Sequence, residues 1–349
     1  MRKFDYSFLD AGLLPAQITN RAIAIGELRV KGQQRKEKFP DVFTKLEIIA
    51  KVQSVKGSNA IEGIVTTDRR IEEIVNKNSA PLNHDELEIA GYRDALNLVH
   101  ENFAEIQITE QNILNLHAIM QRGNTRVNGG EYKKMDNAII AVDSFGNRTV
   151  RFRPTPASET KFAMEQMILA YLEARDNDRI NQLFLIPCFV LDFLCIHPFI
   201  DGNGRISRLL SLLLLYQNGF DAGKYVSFEQ QINNCKAEYY DALLLSSRGW
   251  HENTNDYFPF MQNFVSMLYM CYKELDMRFG VAGDRKTTKK KRIEAAIFNS
   301  ILPVSKKELC HILPDVSEST VASVLGDLMQ RDIIEKTGTF KNARYKKKN

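Results

Sequence analysis

The sequence predicts a mainly α-helical protein in which one β-hairpin interrupts the helices and a short mixed module closes the chain. Three observations carry this reading. Apolar residues recur at spacings of three and four over most of the chain. Strict alternation, as in half-buried strands, is confined to a few short runs. A turn-rich segment, Asn137–Arg153, breaks the helical pattern. With 349 residues, 44% hydrophobic and 26% charged, the chain is long enough for two or three domains and too apolar for a disordered tail.

Helical spacing covers residues 14–35, 43–60, 68–77, 85–104 and 109–121. Within Asn137–Arg153, two β-prone runs, Ala138–Val142 and Thr149–Phe152, flank the turn-rich DSFGN, and Pro154 and Pro156 end the pattern of a hairpin. A lone hairpin is marginal unless it packs on something, so it reads as a flap over a site or as a surface decoration. Helical spacing resumes at 158–176, 182–196, 204–217, 229–246 and 255–278. Leu183–Ile200 approaches the length of a membrane span, but Pro187, Asp192, His197 and Pro198 interrupt it, and a buried helix is the better reading.

Gly280–Arg292 reads as a basic linker. Helical patterns follow at Ile293–Ile301, Ser305–Leu313 and Ser317–Arg331, with Ser317 as an N-cap, and then two short strands, Ile333–Lys336 and Ala343–Lys346. Three helices followed by a β-wing is the winged helix-turn-helix pattern. The expected organisation is an N-terminal helical region at 1–105, a core at 106–279, a linker at 280–292 and a winged helix-turn-helix at 293–349.

The formal net charge is only +4, against the strong basicity of a whole-protein polyanion binder. The five cysteines form no CxxC pair and the six histidines no HExxH pair, which argues against a disulfide framework and a structural zinc site. Reduced thiols and an N-terminus without an apolar stretch behind its charges point to the cytoplasm.

The segment richest in chemistry is His197–Arg208, HPFIDGNGRISR. Pro198 stops the helix that carries His197 to its end. Gly202 and Gly204 let successive N–H groups converge on one concavity, and a new helix begins there, so an anion nest sits at a helix N-terminus. Arg205 and Arg208 add guanidinium groups that grip phosphate oxygens. Asp201 can hold Mg²⁺, and His197 can accept a proton from an incoming hydroxyl. Together these describe a phosphoryl- or nucleotidyl-transfer site.

These residues resemble the signature of the Fic (Fido) family at every defined position, and the resemblance extends over roughly residues 40 to 275. It implies a Fic-type helical core whose β-hairpin is a flap that docks the target, with Ile139 and Ile140 on its docking strand. It also implies AMP transfer from ATP, with Mg²⁺, to a Tyr, Thr or Ser hydroxyl of a target protein. In that reading His197 is the base and Asp201 holds the metal. Gly202, Asn203, Gly204 and Arg205 cradle the α- and β-phosphates, and Arg208 grips the γ-phosphate. Gly129–Lys134, GGEYKK, resembles the family's lead into the flap. Tyr239 and Tyr240 match its paired tyrosines near the adenine pocket. One of the two faces the core, because adjacent helix positions point different ways.

Ser58–Gly63, SNAIEG, resembles the family's inhibitory motif in the subclass with an N-terminal inhibitory helix. Glu62 can pair with Arg208 and occupy the arginine the γ-phosphate needs. Other readings stay open: removal of AMP, another donor (UMP, phosphate or phosphocholine), or a nucleotide-sensing, DNA-binding regulator. Residues 284–349 carry 15 Lys+Arg against 8 Asp+Glu, a net of +7, which leaves about −3 on the rest. Yet the would-be recognition helix exposes Glu318, Ser319, Ser323 and Asp327 and offers no basic residue before Arg331. DNA is therefore not the favoured partner, and protein docking or dimerisation is. The resemblance also leaves room for self-modification and a homodimer; no membrane partner is expected.

Overall fold

Helices form close to where the apolar spacing places them. In the computed structural model, which describes residues 2–10, 13–142, 148–283, 288–298, 303–313, 316–338 and 343–348, the order begins α1 (Ala16–Lys38), α2 (Pro40–Ile61), α3 (Asp68–Lys77), α4 (His84–Asn102) and α5 (Glu110–Met120). The hairpin follows as β1 (Ile139–Val142) and β2 (Arg148–Phe152). Then come α6 (Ala157–Arg175), α7 (Gln182–Ile196), α8 (Asn203–Gln217), α9 (Phe228–Asn234), α10 (Lys236–Ser247) and α11 (Phe258–Gly283). The expected single helix over 229–246 is two, because Cys235 (φ −120°, ψ 40°) leaves the helical region between α9 and α10. Side-chain N-caps from Thr67, Asn83, Thr109, Asn181 and Ser227 start α3, α4, α5, α7 and α9.

The chain divides into two compact units, one joining residues up to Arg29 with Leu46–Cys271, the other joining Val30–Lys45 with Tyr272–Asn349. The first is built around α7. Every residue of α7 is buried, it runs through Pro187 unbroken, and it packs against α6, α8 and α10. The apolar stretch that approaches membrane length is thus the centre of a helical core. Among the described residues no helix is long and apolar enough to cross a membrane.

The hairpin is antiparallel, with Ile140 opposite Val150 and a register irregularity between Ile139 and Ile140. Ile140 and Val150 are half-exposed. The predicted turn between the strands lies outside the described residues.

In the second unit, Phe43 stacks on Phe279 at 5.0 Å, and Lys31 and Arg35 pair with Asp276 at 2.8 and 2.6 Å. Its C-terminal part contains α12 (Lys289–Phe298), β3 (Val304–Ser305), α13 (Lys306–Ile312), α14 (Glu318–Gln330), β4 (Ile334–Thr337) and β5 (Arg344–Lys347). The sheet order is β3-β5-β4, all antiparallel. β3, two residues long, is absent from the sequence reading, and Ser305 there also caps α13 with a capping box. Ile293, Leu309, Val321, Leu325, Leu328 and Ile334 share one core. Helix covers both ends of the expected linker: α11 extends to Gly283 and α12 starts at Lys289, with Thr288 accepting from the Lys291 N–H.

Candidate active site

α7 ends at His197, which takes the left-handed conformation (φ 52°) while its N–H donates to the Phe193 carbonyl (2.9 Å). The Leu194 carbonyl can only accept, so the His197 Nδ1 carries the proton and donates to it (3.3 Å). Nε2 is left with its lone pair. Burial lowers the ring's pKa to about 4, and the neighbouring Lys133 charge adds to this. His197 is therefore neutral and able to accept a proton at neutral pH.

The loop after His197 is held from several sides. Lys133 donates through its backbone N–H to the Pro198 carbonyl (2.8 Å) and through Nζ to the Ile196 carbonyl (3.1 Å). Asn137 Nδ2 donates to the Phe199 carbonyl (3.2 Å). Burial brings the Lys133 pKa down to about 8. His117, fully buried on α5, stacks on Phe199 at 3.7 Å. Its Nδ1 accepts from the Gly130 N–H (3.0 Å), so Nε2 carries the proton and donates to the Asp201 carbonyl (3.1 Å).

Gly202 caps α8 at φ +85°, and a Cβ there would stand 2.5 Å from the Met120 side chain and 2.9 Å from that of Gln121. Conformation and space both require glycine. Asn203 is buried and its side chain is spent on one residue. It accepts from the Phe199 N–H (2.9 Å) and donates to the Phe199 carbonyl (2.8 Å). What Asn203 can offer an anion is its backbone N–H. The Asp201 carboxylate accepts from the Gly202 N–H (2.7 Å), and its side chain is 53% exposed.

Arg205 is fully buried. It pairs with Glu88 of α4 at 2.6 Å and more loosely with Asp201 at 3.4 Å. Arg208, also fully buried, is met from α2: its Nε donates to Ser58 Oγ (2.8 Å) and its Nη2 to the Ser58 carbonyl (3.0 Å) and to Glu62 Oε1 (2.7 Å). Burial alone would raise the Glu62 pKa, but the Arg208 charge prevails and holds it below the usual carboxylate range. The carboxylate lies against the first turn of α8, since a Cβ on Gly204 would collide with it. A negative group at that helix end is favoured by the helix dipole.

The end of α2 is itself tied down. Gly63 is left-handed (φ +82°), the Ile64 N–H reaches back to the Asn59 carbonyl (3.0 Å), and Lys236 Nζ donates to the Ile61 carbonyl (2.6 Å). One turn earlier, a Cβ on Gly57 would stand 3.0 Å from the Gln230 backbone nitrogen, so α2 lies directly on the start of α9. Ser54 Oγ donates to Ser227 Oγ at 2.9 Å in the same contact.

Of the paired tyrosines, Tyr239 is buried against Phe260 (5.6 Å), whereas Tyr240 is partly open. Arg151 of β2 lies 5.4 Å over the Tyr240 ring and donates to its carbonyl. Ile139 and Ile140 stand on β1, just beyond Asn137 and its bond to the loop.

Ser58, Glu62, His197, Asp201, Gly202, Asn203, Gly204, Arg205 and Arg208 are thus brought to one place. The sequence reading did not single out Glu88, His117, Lys133 or Asn137. Lys133 lay within GGEYKK and Asn137 opened the hairpin segment, whereas Glu88 and His117 carried no signal. Among the described residues no group of three or more His, Cys, Asp or Glu is placed to hold a metal ion.

Comparison with known proteins gives this arrangement a family context. Residues 107–215 match the model of the Fic/DOC family, so the chain contains a Fic domain. A Fido domain-containing protein of Dictyostelium discoideum is 29% identical over 121 residues, 35% of this chain and 78% of that protein. Among solved structures, a Fic family protein from Desulfovibrio desulfuricans G20 is 21% identical with TM-score 0.63, covering 96% of this chain and 97% of that one. A Fic domain containing signaling protein from Bacteroides thetaiotaomicron VPI-5482 is 21% identical with TM-score 0.62, covering 72% of this chain and 95% of that one. Fic-1 from C. elegans is 16% identical with TM-score 0.55, covering 73% and 72%. At these identities the solved structures show a shared fold.

Proposed function

We propose that this chain transfers AMP from ATP to a hydroxyl group of a protein and that Glu62 restrains it. The observation that carries the reading is the Arg208–Glu62 pair, a carboxylate held at 2.7 Å on a buried arginine and against the N-terminus of α8. A phosphate would seek the same guanidinium and helix end.

In the transfer, the acceptor oxygen attacks the α-phosphorus, the bond from that phosphorus to the bridging oxygen breaks, and pyrophosphate leaves. The acceptor's proton passes to His197 Nε2, free because Nδ1 donates to Leu194. The N–H groups at the start of α8 receive phosphate oxygens, as does Arg208 once Glu62 withdraws. Asp201 suits Mg²⁺: its carboxylate is half-exposed, and such an ion takes one or two carboxylates with the rest from phosphates and water. Bound there, the ion would neutralise phosphate charge. Arg205, tied to Glu88, steadies the loop and adds positive potential.

For the C-terminal module we favour a winged helix used in protein docking over DNA binding, with a second copy of the chain as one candidate partner. Its exposed basic residues meet acidic ones: Lys290 with Asp327 (2.8 Å), Lys306 with Glu318 (3.1 Å), Arg344 with Glu308 (3.3 Å), Lys346 with Glu335 (2.7 Å) and Lys348 with Asp332 (2.6 Å). A DNA-binding face would hold more of its charge free for phosphates.

The test is a gel assay with α-phosphate-labelled ATP, Mg²⁺ and a cell lysate, run on wild type, Glu62→Gly and His197→Ala. Strong label with Glu62→Gly, weak label with wild type and none with His197→Ala is expected. Equal label in the first two lanes sinks the restraint. No label in any lane, with γ-labelled ATP and other nucleotides also silent, sinks the transferase.

A further inference from the structure

A second polar cluster lies on α7, towards the same end as His197. Asp192 is fully buried, one and a half turns before His197, and four groups from distant parts of the chain converge on its carboxylate. Tyr6 Oη donates to Oδ2 (2.8 Å), Trp250 Nε1 to Oδ1 (2.6 Å), Tyr257 Oη to both oxygens (3.0 and 2.9 Å), and Arg2 Nη2 to Oδ1 (3.3 Å).

Arg2 is the only cation among these partners. Its other nitrogen donates to the Trp250 carbonyl (3.0 Å) and to Asn255 (2.7 Å), and its guanidinium lies 5.0 Å from the Trp250 ring centre. Its side chain is 8% exposed, so both charges of the pair are withdrawn from water.

Trp250 carries this cluster to the hairpin. Phe152, the last residue of β2, meets Trp250 edge-on at 6.3 Å and stacks on His251 at 5.5 Å. His251 Nε2 donates to the Arg153 carbonyl (2.8 Å). A cavity of about 370 Å³ sits at this junction, lined by Arg2, Phe4, Arg153, Pro156, Trp250 and His251 among others, so the base of the hairpin is not braced there by close packing.

We propose that residues 2–6 are a strap that positions the hairpin, with Arg2 and Asp192 as its positioning pair and Trp250 as its link. One carboxylate on the core helix fixes the strap, and the strap fixes the indole against which the returning strand rests. The hairpin gains a defined pose relative to α7, and so to His197 at its end. Arg2 and Asp192 act through other residues, not on the reacting atoms. The significance for acceptor docking rests on the transferase reading; the strap itself does not.

The test compares hydrogen exchange in wild type, Arg2→Met, Asp192→Asn and the double variant. Trp250 is the only tryptophan in the chain, so its emission reports the strap directly. Removing one partner of a buried pair leaves an uncompensated charge, whereas removing both does not. With Arg2→Met, exchange at 148–152 and 250–257 should rise about tenfold or more and the emission should shift, while α8 and the 198–203 loop stay protected. The double variant, which buries no lone charge but still lacks the pair, should recover global stability and keep the raised exchange at 148–152; wild-type exchange there would overturn the proposal. Unchanged exchange in the hairpin alongside a shifted emission overturns the proposal. So does a uniform rise across all helices, the mark of a purely structural role. Asp192→Asn, which removes the carboxylate from the cluster and leaves Arg2 its bonds to the Trp250 carbonyl and Asn255, serves if Arg2→Met does not fold. In the Glu62→Gly background the strap variants should raise the acceptor KM about tenfold with kcat nearly unchanged. Failure of that arm alone, with the exchange pattern as expected, counts against the transferase reading and not the strap.

Discussion

Replacing Glu62 should move stability and nucleotide affinity in opposite directions. In wild type Arg208 makes three hydrogen bonds, two to Ser58 and one to Glu62. Removing one partner of a fully buried ion pair costs about 3–5 kcal/mol. Glu62 is 31% exposed, and Arg208 keeps both bonds to Ser58. The loss is therefore about 1–3 kcal/mol, a fall of a few degrees in Tm. A phosphate then meets an arginine with an open bonding direction. A hydrogen bond to a charged group contributes about 1.5–3 kcal/mol, which corresponds to roughly 10- to 100-fold tighter binding of ATP. The assay pairs thermal unfolding with calorimetric titration of Mg²⁺–ATP into wild type, Glu62→Gly and Glu62→Gln. The glutamine variant separates charge from backbone flexibility. A lower Tm with unchanged or weaker ATP binding would refute the competition argument and leave Glu62 as a structural contact.

Three further outcomes are expected. Burial holds His117 and His197 at pKa values of about 4, below the ordinary value of about 6.5. The folded state thus binds fewer protons, so stability is fully present above about pH 6.5, falls as pH drops towards 4, and falls no further on their account below that. NMR titration should find both rings neutral at pH 5, and a midpoint near 6.5 for either would contradict its burial. Gly202→Ala should destabilise the protein by roughly 2–4 kcal/mol, since the residue combines positive φ with a collision at Met120; denaturant unfolding within 0.5 kcal/mol of wild type would be incompatible with that geometry. Tyr239→Ala should lower the unfolding free energy by about 3–5 kcal/mol and with it the denaturation midpoint, while Tyr240→Ala should leave both nearly unchanged and weaken nucleotide binding. Equal midpoints for the two would reverse the inward and outward assignment.

The elements and the heart of the site were legible in the sequence because they depend on local rules. Helix positions follow from apolar spacing, and the His197–Arg208 loop follows from a proline, two glycines and a helix start within twelve residues. The inward and outward tyrosines follow from the turn angle of a helix. What was not legible depends on residues far apart in the chain. Glu88 comes to Arg205 from 117 positions away, and His117 reaches Asp201 across 84. No spacing rule joins such pairs. Nor could the sequence tell which part of Asn203 faces the anion site: its side chain turns inward to bond Phe199 and leaves the backbone N–H at the helix start. The break at Cys235 was hidden because cysteine is no helix breaker by type.

The contact of α2 with α9 limits how Glu62 can leave Arg208. With no side chain at Gly57 and the Gln230 backbone directly beneath it, α2 has no room to roll on its neighbour. Departure of the whole helix would also strip the Ser54–Ser227 bond and expose Ser58 and Asn59, both fully buried. The movable part is the final turn, fastened by Lys236 and the Gly63 cap. If Glu62 restrains the site as proposed, its withdrawal is then a fraying event of a few residues, on the timescale of helix ends instead of domain rearrangement.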